Sequence, residues 1–360
     1  MNRPVNDDAD ELVPRLAGAE DRAEPELGPS ALDLREQGMA IRRGGVRLQL
    51  YKYAVVIALA LFIAIFSGLA PGTFPTIGNV QTIINSQAEL LILSLGLTLP
   101  LLAGDFDLSI GATMGYAGSM VAELSGPLHM GAIEAIVITL ATCAVIGCVN
   151  ALLVVRIGIN AFIGTLATST VLSGLTLQVT KGSILTTVPT GLESFATWRM
   201  PTLGIGAPAF IGFGLAILFW YLYQFTPFGR RLFFVGEGRE AARLTGLPVN
   251  RMRTVAFIGA AVISGVAGLL LAGELGGMSS SIGPTYLLPA YAAAFLGATT
   301  IKPGRFNAIG TLVGLYVLVV GVTGLELLGV PSWIEQVFNG AALAVAVGFA
   351  RFVSTEQVRR

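Results

Sequence analysis

The chain has 360 residues, 54% of them hydrophobic and only 12% charged, with zero formal net charge. Apolar runs of about twenty residues recur along most of that length, which places it among polytopic membrane proteins and excludes a large soluble domain. Zero net charge, without a basic face carrying interleaved aromatics, also argues against a nucleic-acid partner. The charge is unevenly spread: 18 of the 44 Lys, Arg, Asp and Glu fall within residues 1–52. Residues 1–45 are rich in acids, Pro and Gly and too poor in large apolar side chains to offset their ordering entropy, so they read as a disordered tail. The first apolar run starts near Leu50, behind Arg42, Arg43, Arg47 and Lys52, too late for a secretory signal, and reads as a retained first span.

Runs able to cross the hydrocarbon are expected near 50–69, 83–103, 107–125, 132–155, 161–180, 207–225, 255–275, 287–301, 308–328 and 334–352. The fold class is therefore all-α, a polytopic membrane protein of about ten transmembrane helices. The eighth run is short enough to be broken or re-entrant, which protein or a water-filled cavity must then satisfy. With the amino terminus inside, ten spans put Arg156, Arg230, Arg231, Arg239, Arg243, Arg251, Arg253, Lys302, Arg305, Arg351, Arg359 and Arg360 on the cytoplasmic side. Only Lys181 and Arg199 fall outside, and positive residues near span ends resist translocation. The expected organisation is a cytoplasmic tail over 1–45, a membrane domain over 46–353 and a short cytoplasmic tail over 354–360, both termini inside. Small-xxx-small pairs at Gly111 and Gly115, Gly273 and Gly277, and Gly310 and Gly314 allow close helix approach, read first as packing within one subunit. No sequence repeat relates the two halves.

The chemistry present is sparse. The three lysines, Lys52, Lys181 and Lys302, do not lie in a phosphate-loop motif, so the chain is not expected to hydrolyse ATP by itself. Glu89, Glu123, Glu134, Glu274, Glu326 and Glu335 lie close to expected span ends and read as interfacial charges rather than a proton relay; His129 sits in a short outer loop. Cys143 and Cys148, five apart on one helix, point in different directions and read as packed thiols. One His and two mid-span Cys supply neither a metal cluster nor a catalytic triad, and no cofactor is expected on this chain.

Three segments resist a purely structural reading. "LLAGDFDLSIGATMG" sets Asp105, Asp107 and Ser109 at the start of a helix, where they would serve as caps or line a pathway. "FVGEGREAARLTGLPVNRMRTV", from Phe234 to Val255, breaks an apolar chain with four arginines around a short helix: Glu237 and Glu240 near its start, Ala241 and Ala242 as helix formers, Arg243 later, and Gly246 with Pro248 as a stop. "FLGATTIKPGRFNAIGTLVG", from Phe295 to Gly314, joins two spans through a Gly and Pro turn carrying Lys302 and Arg305.

Together, in this order, these segments resemble the membrane-permease subunits of bacterial ABC importers of the ribose, xylose and other monosaccharide branch, over roughly residues 50–352. In the first motif Gly104, Asp107, Leu108, Ser109 and Gly111 match the family, while Asp105 stands where a second Gly is usual. In the second, Gly236, Ala241, Ala242 and Gly246 match, with Glu237 in an Asn place. In the third, Gly297, Thr300, Gly304, Gly310, Thr311 and Gly314 match, while Ala298 replaces a Gly and Lys302-Pro303 replaces a Gly-rich turn. The resemblance implies a non-catalytic permease in a bacterial inner membrane, working as a homodimer or heterodimer. Its partners would be an ABC ATPase subunit, which uses the ATP, and an extracytoplasmic sugar-binding protein. It also implies that residues 236–250 hold a coupling helix for the ATPase, with Arg239 as one of its residues and Ala242 entering the partner's groove. On the motif match, Asp107 is expected to matter more than Asp105. The alternative is a secondary transporter of a small polar solute driven by an ion gradient.

Overall fold

The computed structural model describes residues 52–358, with side-chain surroundings through residue 348; the tail expected over 1–45 lies outside the described residues. The first helix, α1, covers Lys52–Leu69. It is followed by α2 (Ile77–Asn85), α3 (Ala88–Leu102), α4 (Ile110–Ser125), α5 (Ala132–Ala151) with a π-helical extension Leu152–Ile157, and α6 (Ala161–Thr180). The second half holds α7 (Thr190–Thr197), α8 (Ala207–Phe225), α9 (Pro227–Glu237), α10 (Arg239–Leu244), α11 (Val249–Leu275), α12 (Ile282–Thr285), α13 (Leu287–Ala298), α14 (Ala308–Leu327) and α15 (Trp333–Val358). The only extended pairings among the described residues are two isolated bridges, Leu185 with Met278 and Arg199 with Gly206.

Each of the ten expected spans coincides with a helix. Six described helices are long and apolar enough to cross a membrane by length and composition, and a seventh span forms if α2 and α3, bent by 42° at their junction, count as one. The others are short, or reach past the described side chains. The eighth expected span is the 12-residue α13, preceded by the single turn α12. Helix α15 runs on through the boundary expected at residue 353, to Val358. Local chemistry fixes several starts: the Thr76, Asn160, Thr226 and Asn307 side chains accept from first-turn N–H groups of α2, α6, α9 and α14.

Helix α3 is the centre of the molecule. All fifteen of its residues are buried, and α8, α9, α11, α13 and α14 pack around it. An apolar helix without a polar face can only be accommodated this way, or by lipid. Helices α5 and α6, by contrast, leave Ile133, Val137, Val145, Ile163 and Val171 exposed, the surface a lipid-facing helix presents. Helices α3 and α11 run antiparallel, so each end of the pair brings one residue near an α3 terminus to one near an α11 terminus.

All three small-residue pairs serve packing within the chain. A Cβ on Gly111 would stand 2.9 Å from the Gly283 carbonyl oxygen, and one on Gly115 3.0 Å from Gly283 Cα, so α4 and α12 touch backbone to backbone. Gly273 and Gly277 abut Leu192, Ala196 and Leu185, while Gly310 and Gly314 abut Gly297 and Ala293 across α13 and α14.

Candidate functional site

The site is built where α3 ends. Pro100 lies inside the last turn of α3, and the chain stops being helical two residues later. The Asp105 N–H folds back to the Pro100 carbonyl at 2.9 Å, and Gly104 takes the left-handed conformation, φ 75°, that lets the chain reverse. That reversal is also a close approach. A Cβ on Gly104 would lie 3.2 Å from the Gly236 carbonyl oxygen, and one on Gly236 would collide with the Leu102 carbonyl oxygen. Both glycines are therefore needed for the end of α9 to rest directly on the end of α3.

Asp105 completes the joint. Its Oδ2 accepts from Arg253 Nε at 2.7 Å and its Oδ1 from Arg253 Nη2 at 2.8 Å, a two-pronged pair between the α3–α4 loop and the first turns of α11. Arg239, the first residue of α10, gives Nη2 to the same Oδ1 at 2.8 Å and to the Gly104 carbonyl at 2.9 Å. The Asp105 side chain is 1% exposed and that of Arg253 9%, whereas that of Arg239 is 41% exposed. One buried carboxylate thus ties three elements: α3, α11 and the short helix α10.

Asp107 does different work. Its Oδ1 accepts from the Ser109 N–H at 2.9 Å and the Ser109 hydroxyl at 2.6 Å, closing the turn that opens α4. Ser109 Oγ in turn accepts from Asn150 of α5 at 2.7 Å, and the Asp107 N–H donates to the Tyr291 hydroxyl at 3.0 Å. Phe106 between the acids stacks on Tyr291 and Phe295, with centroids 6.2 and 6.3 Å away. The motif match ranks Asp107 above Asp105; the contacts give Asp105 the wider reach.

The remaining expected residues divide by exposure. On α10, Glu240 and Arg243 form an exposed pair at 3.2 Å, and Ala241 is exposed. Glu237 ends α9 on the surface, and Gly246 takes φ 79° with no side chain near it. Ala242 is buried in the chain's own core, so it does not offer a small side chain to a partner's groove as expected from sequence. The residue that α10 does present is Leu244, 89% exposed. In the third segment Gly297 and Gly310 let α13 and α14 meet, and Gly304 takes φ 83° in the turn. The Thr300 hydroxyl donates to the Lys52 carbonyl at 2.7 Å, tethering that turn to the start of α1.

Residues 79–347 match the family described as "Branched-chain amino acid transport system / permease component". The chain belongs to this family. The permease is 31% identical over 314 residues to the ribose import permease protein RbsC of Escherichia coli strain K12, covering 86% of this chain and 97% of that protein. It is 33% identical over 300 residues to RbsC of Bacillus subtilis strain 168, covering 82% and 91%. To the autoinducer 2 import system permease protein LsrD of Salmonella paratyphi A it is 30% identical over 311 residues, covering 82% and 91%. No solved structure matches the chain. The permease is accordingly a multi-pass membrane protein, and the solutes named for its family and relatives are of three different kinds.

Sequence reasoning missed Arg253, Leu244, Asn150 and Tyr291. Arg253 reads from sequence as one of several cytoplasmic arginines, because nothing local separates it from Arg251. Its position in the first turns of a long helix, two residues past an exposed arginine, is the signal available for an inward-facing guanidinium. Leu244 is a single apolar residue on a short polar helix, a pattern common enough on surfaces that the sequence alone does not single it out.

Proposed function

We propose that this chain is the translocation subunit of an ATP-driven importer and moves a monosaccharide or related polyol delivered by an extracytoplasmic binding protein. The relatives named for ribose import, covering nearly the whole chain, support the cargo class. The chain itself carries no catalysis in this reading; a separate ATPase subunit binds and hydrolyses ATP, and the permease pairs with a second copy or a related chain. The membrane is the bacterial inner membrane, with the ends and Arg251 on the cytoplasmic side. The observation that carries the coupling role is the shared carboxylate: Arg239 of α10 and Arg253 of α11 both hold Asp105 beside the end of α3. A displacement of α10 by the ATPase then moves α3 and α11 together, biasing the permease between two access states.

Replacing Leu244 with Glu tests this. Leu244 touches nothing that the membrane domain needs, so the variant is expected to accumulate in membranes normally. It should lose co-purification with its co-expressed ATPase, and ATP-dependent uptake with it. Normal ATPase association and uptake in Leu244→Glu would remove α10 as the docking element. Uptake that collapses with an uncoupler while ATP is maintained would instead favour an ion-gradient carrier.

A further inference from the structure

A cavity of about 170 Å³ opens beside the coupling segment, between the end of α8, α9 and the α13–α14 turn. Its lining includes Trp220, Gln224, Phe233, Lys302, Arg305 and Asn307. That space holds several waters, enough for a tetrahedral oxyanion with part of its hydration. Its polar character is one-sided. Lys302 donates to Gln224 at 2.7 Å, the Arg305 guanidinium lies 3.1 Å from the Phe233 ring centroid, and neither makes an ion pair among the described residues. Burial and the neighbouring Arg305 charge push the Lys302 pKa below its ordinary value; burial lowers Arg305 too, and only the field of Glu237 opposes it. Both cations stay largely within reach of solvent, yet the Arg305 charge disfavours that of Lys302, and an anion bridging them at the recess relieves that repulsion. The start of α14 adds to this field: Ala308 and Ile309 line the cavity, and neither N–H finds an acceptor among the described residues.

The depth of the recess selects the anion. Trp220, Tyr221 and Phe225 are exposed at the end of α8, where aromatic side chains gather at the boundary between hydrocarbon and headgroups. Helix α9 packs Leu232 and Val235 into the protein core and leaves Arg230, Arg231 and Phe234 exposed, so basic and aromatic side chains share its free face. We propose that this cavity is a binding site for the phosphate of an anionic phospholipid headgroup, held by Lys302 and Arg305 and walled by Trp220 and Phe233. The site is separate from the contacts of Asp105 and does not depend on the coupling role of α10. A lipid seated there would brace α9 against the α13–α14 turn.

Among the three tryptophans, Trp220 alone lines the cavity, so a Trp198→Phe, Trp333→Phe background makes its fluorescence a local probe. The purified permease in detergent is titrated with brominated phosphatidylglycerol and, separately, brominated phosphatidylcholine. Phosphatidylglycerol should quench at lower lipid fraction, and each of Lys302→Gln and Arg305→Gln should reduce that preference by ~5-fold. Lys302→Arg should keep it. Equal quenching by the two lipids, or a preference unchanged by both Gln variants, overturns the proposal. Protection from heat by inorganic phosphate without any preference between the lipids assigns the recess to a soluble anion and also overturns it. If Arg305→Gln does not fold, Lys302→Gln alone decides, since it deletes only a charge beside Gln224.

Discussion

Helices α3 and α11 meet at a charged cluster at each end of the pair, and the two clusters are opposites. At the coupling end one carboxylate, Asp105, serves two guanidiniums, and both of its oxygens are bonded. At the far end two carboxylates compete for one guanidinium. Glu274 pairs with Arg199 at 2.7 Å, while Glu89, facing Glu274 from the first turn of α3, leaves Oε1 buried without a partner. The clusters are about 30 Å apart along α11, the length of a membrane crossing. A fully bonded buried cluster makes a rigid joint, and one that leaves a carboxyl oxygen without a partner is less firmly fixed. If α10 couples as proposed, the helix pair is fastened where force would enter and held less firmly at the opposite end.

The largest test of this contrast breaks the fastened end. Asp105→Asn leaves Arg253 buried opposite a neutral amide, a loss of about 3–5 kcal/mol for a broken buried pair. Membrane abundance should fall, and uptake per molecule should fall further. Asp107→Asn keeps an oxygen that accepts from Ser109, so its effect on both should be smaller. Uptake in Asp105→Asn equal to that of the parent, at equal abundance, would show that the joint transmits nothing.

Next in size is Gly236→Ala, which drives a methyl into the Leu102 carbonyl and forces α9 off the end of α3. Backbone cannot yield as a side chain would, so about 1–3 kcal/mol of overpacking is expected, with uptake lost while insertion persists. Gly246→Ala meets no neighbour and carries only the cost of a left-handed conformation, about 1–2 kcal/mol. Uptake assays on membranes carrying equal amounts of each variant separate them. Equal losses in the two would mean that the contact between α9 and α3 has no special importance.

Much of the fold was legible in the sequence because membrane burial leaves a one-dimensional signal: every expected span coincides with a helix. The apolar signal failed where helices lie outside the spans. Helix α9 runs only four apolar residues, Leu232 to Val235, after Arg230 and Arg231, and α7 sits in a connecting loop; neither carries an apolar run of spanning length. For the site, glycines and acids in "AGDFDLSIG" were visible, but their partners were not. The Asp105–Arg253 contact joins residues 148 apart, and no local pattern encodes which of several arginines faces inward. Reading Glu89 as an interfacial charge failed for the same reason, since proximity to a span end does not reveal that neighbouring helices will bury it. Ala242 shows the converse: small and motif-matched, it was assigned to a partner, yet its own chain covers it.

The smallest expected effects lie at the far end and decide whether it is loose. Glu89→Gln replaces one of two facing carboxyl groups with an amide that can donate to Glu274. Its effect on stability should therefore be neutral or favourable, within about 1 kcal/mol. Glu274→Gln separates Arg199 from its partner, but this pair is partly exposed, with Arg199 at 36% and Glu274 at 25%. Solvent already shares the load of such a pair, so the loss should stay near 0.2–1 kcal/mol, roughly. Thermal unfolding of both single variants and the double variant gives the coupling between the two glutamates directly. A repulsive pair predicts that Glu89→Gln is more favourable beside Glu274 than in the Glu274→Gln background. If Glu89→Gln proved as damaging as Asp105→Asn, the far end would be fastened as tightly as the coupling end, and an opening pathway would have to be sought between other helices.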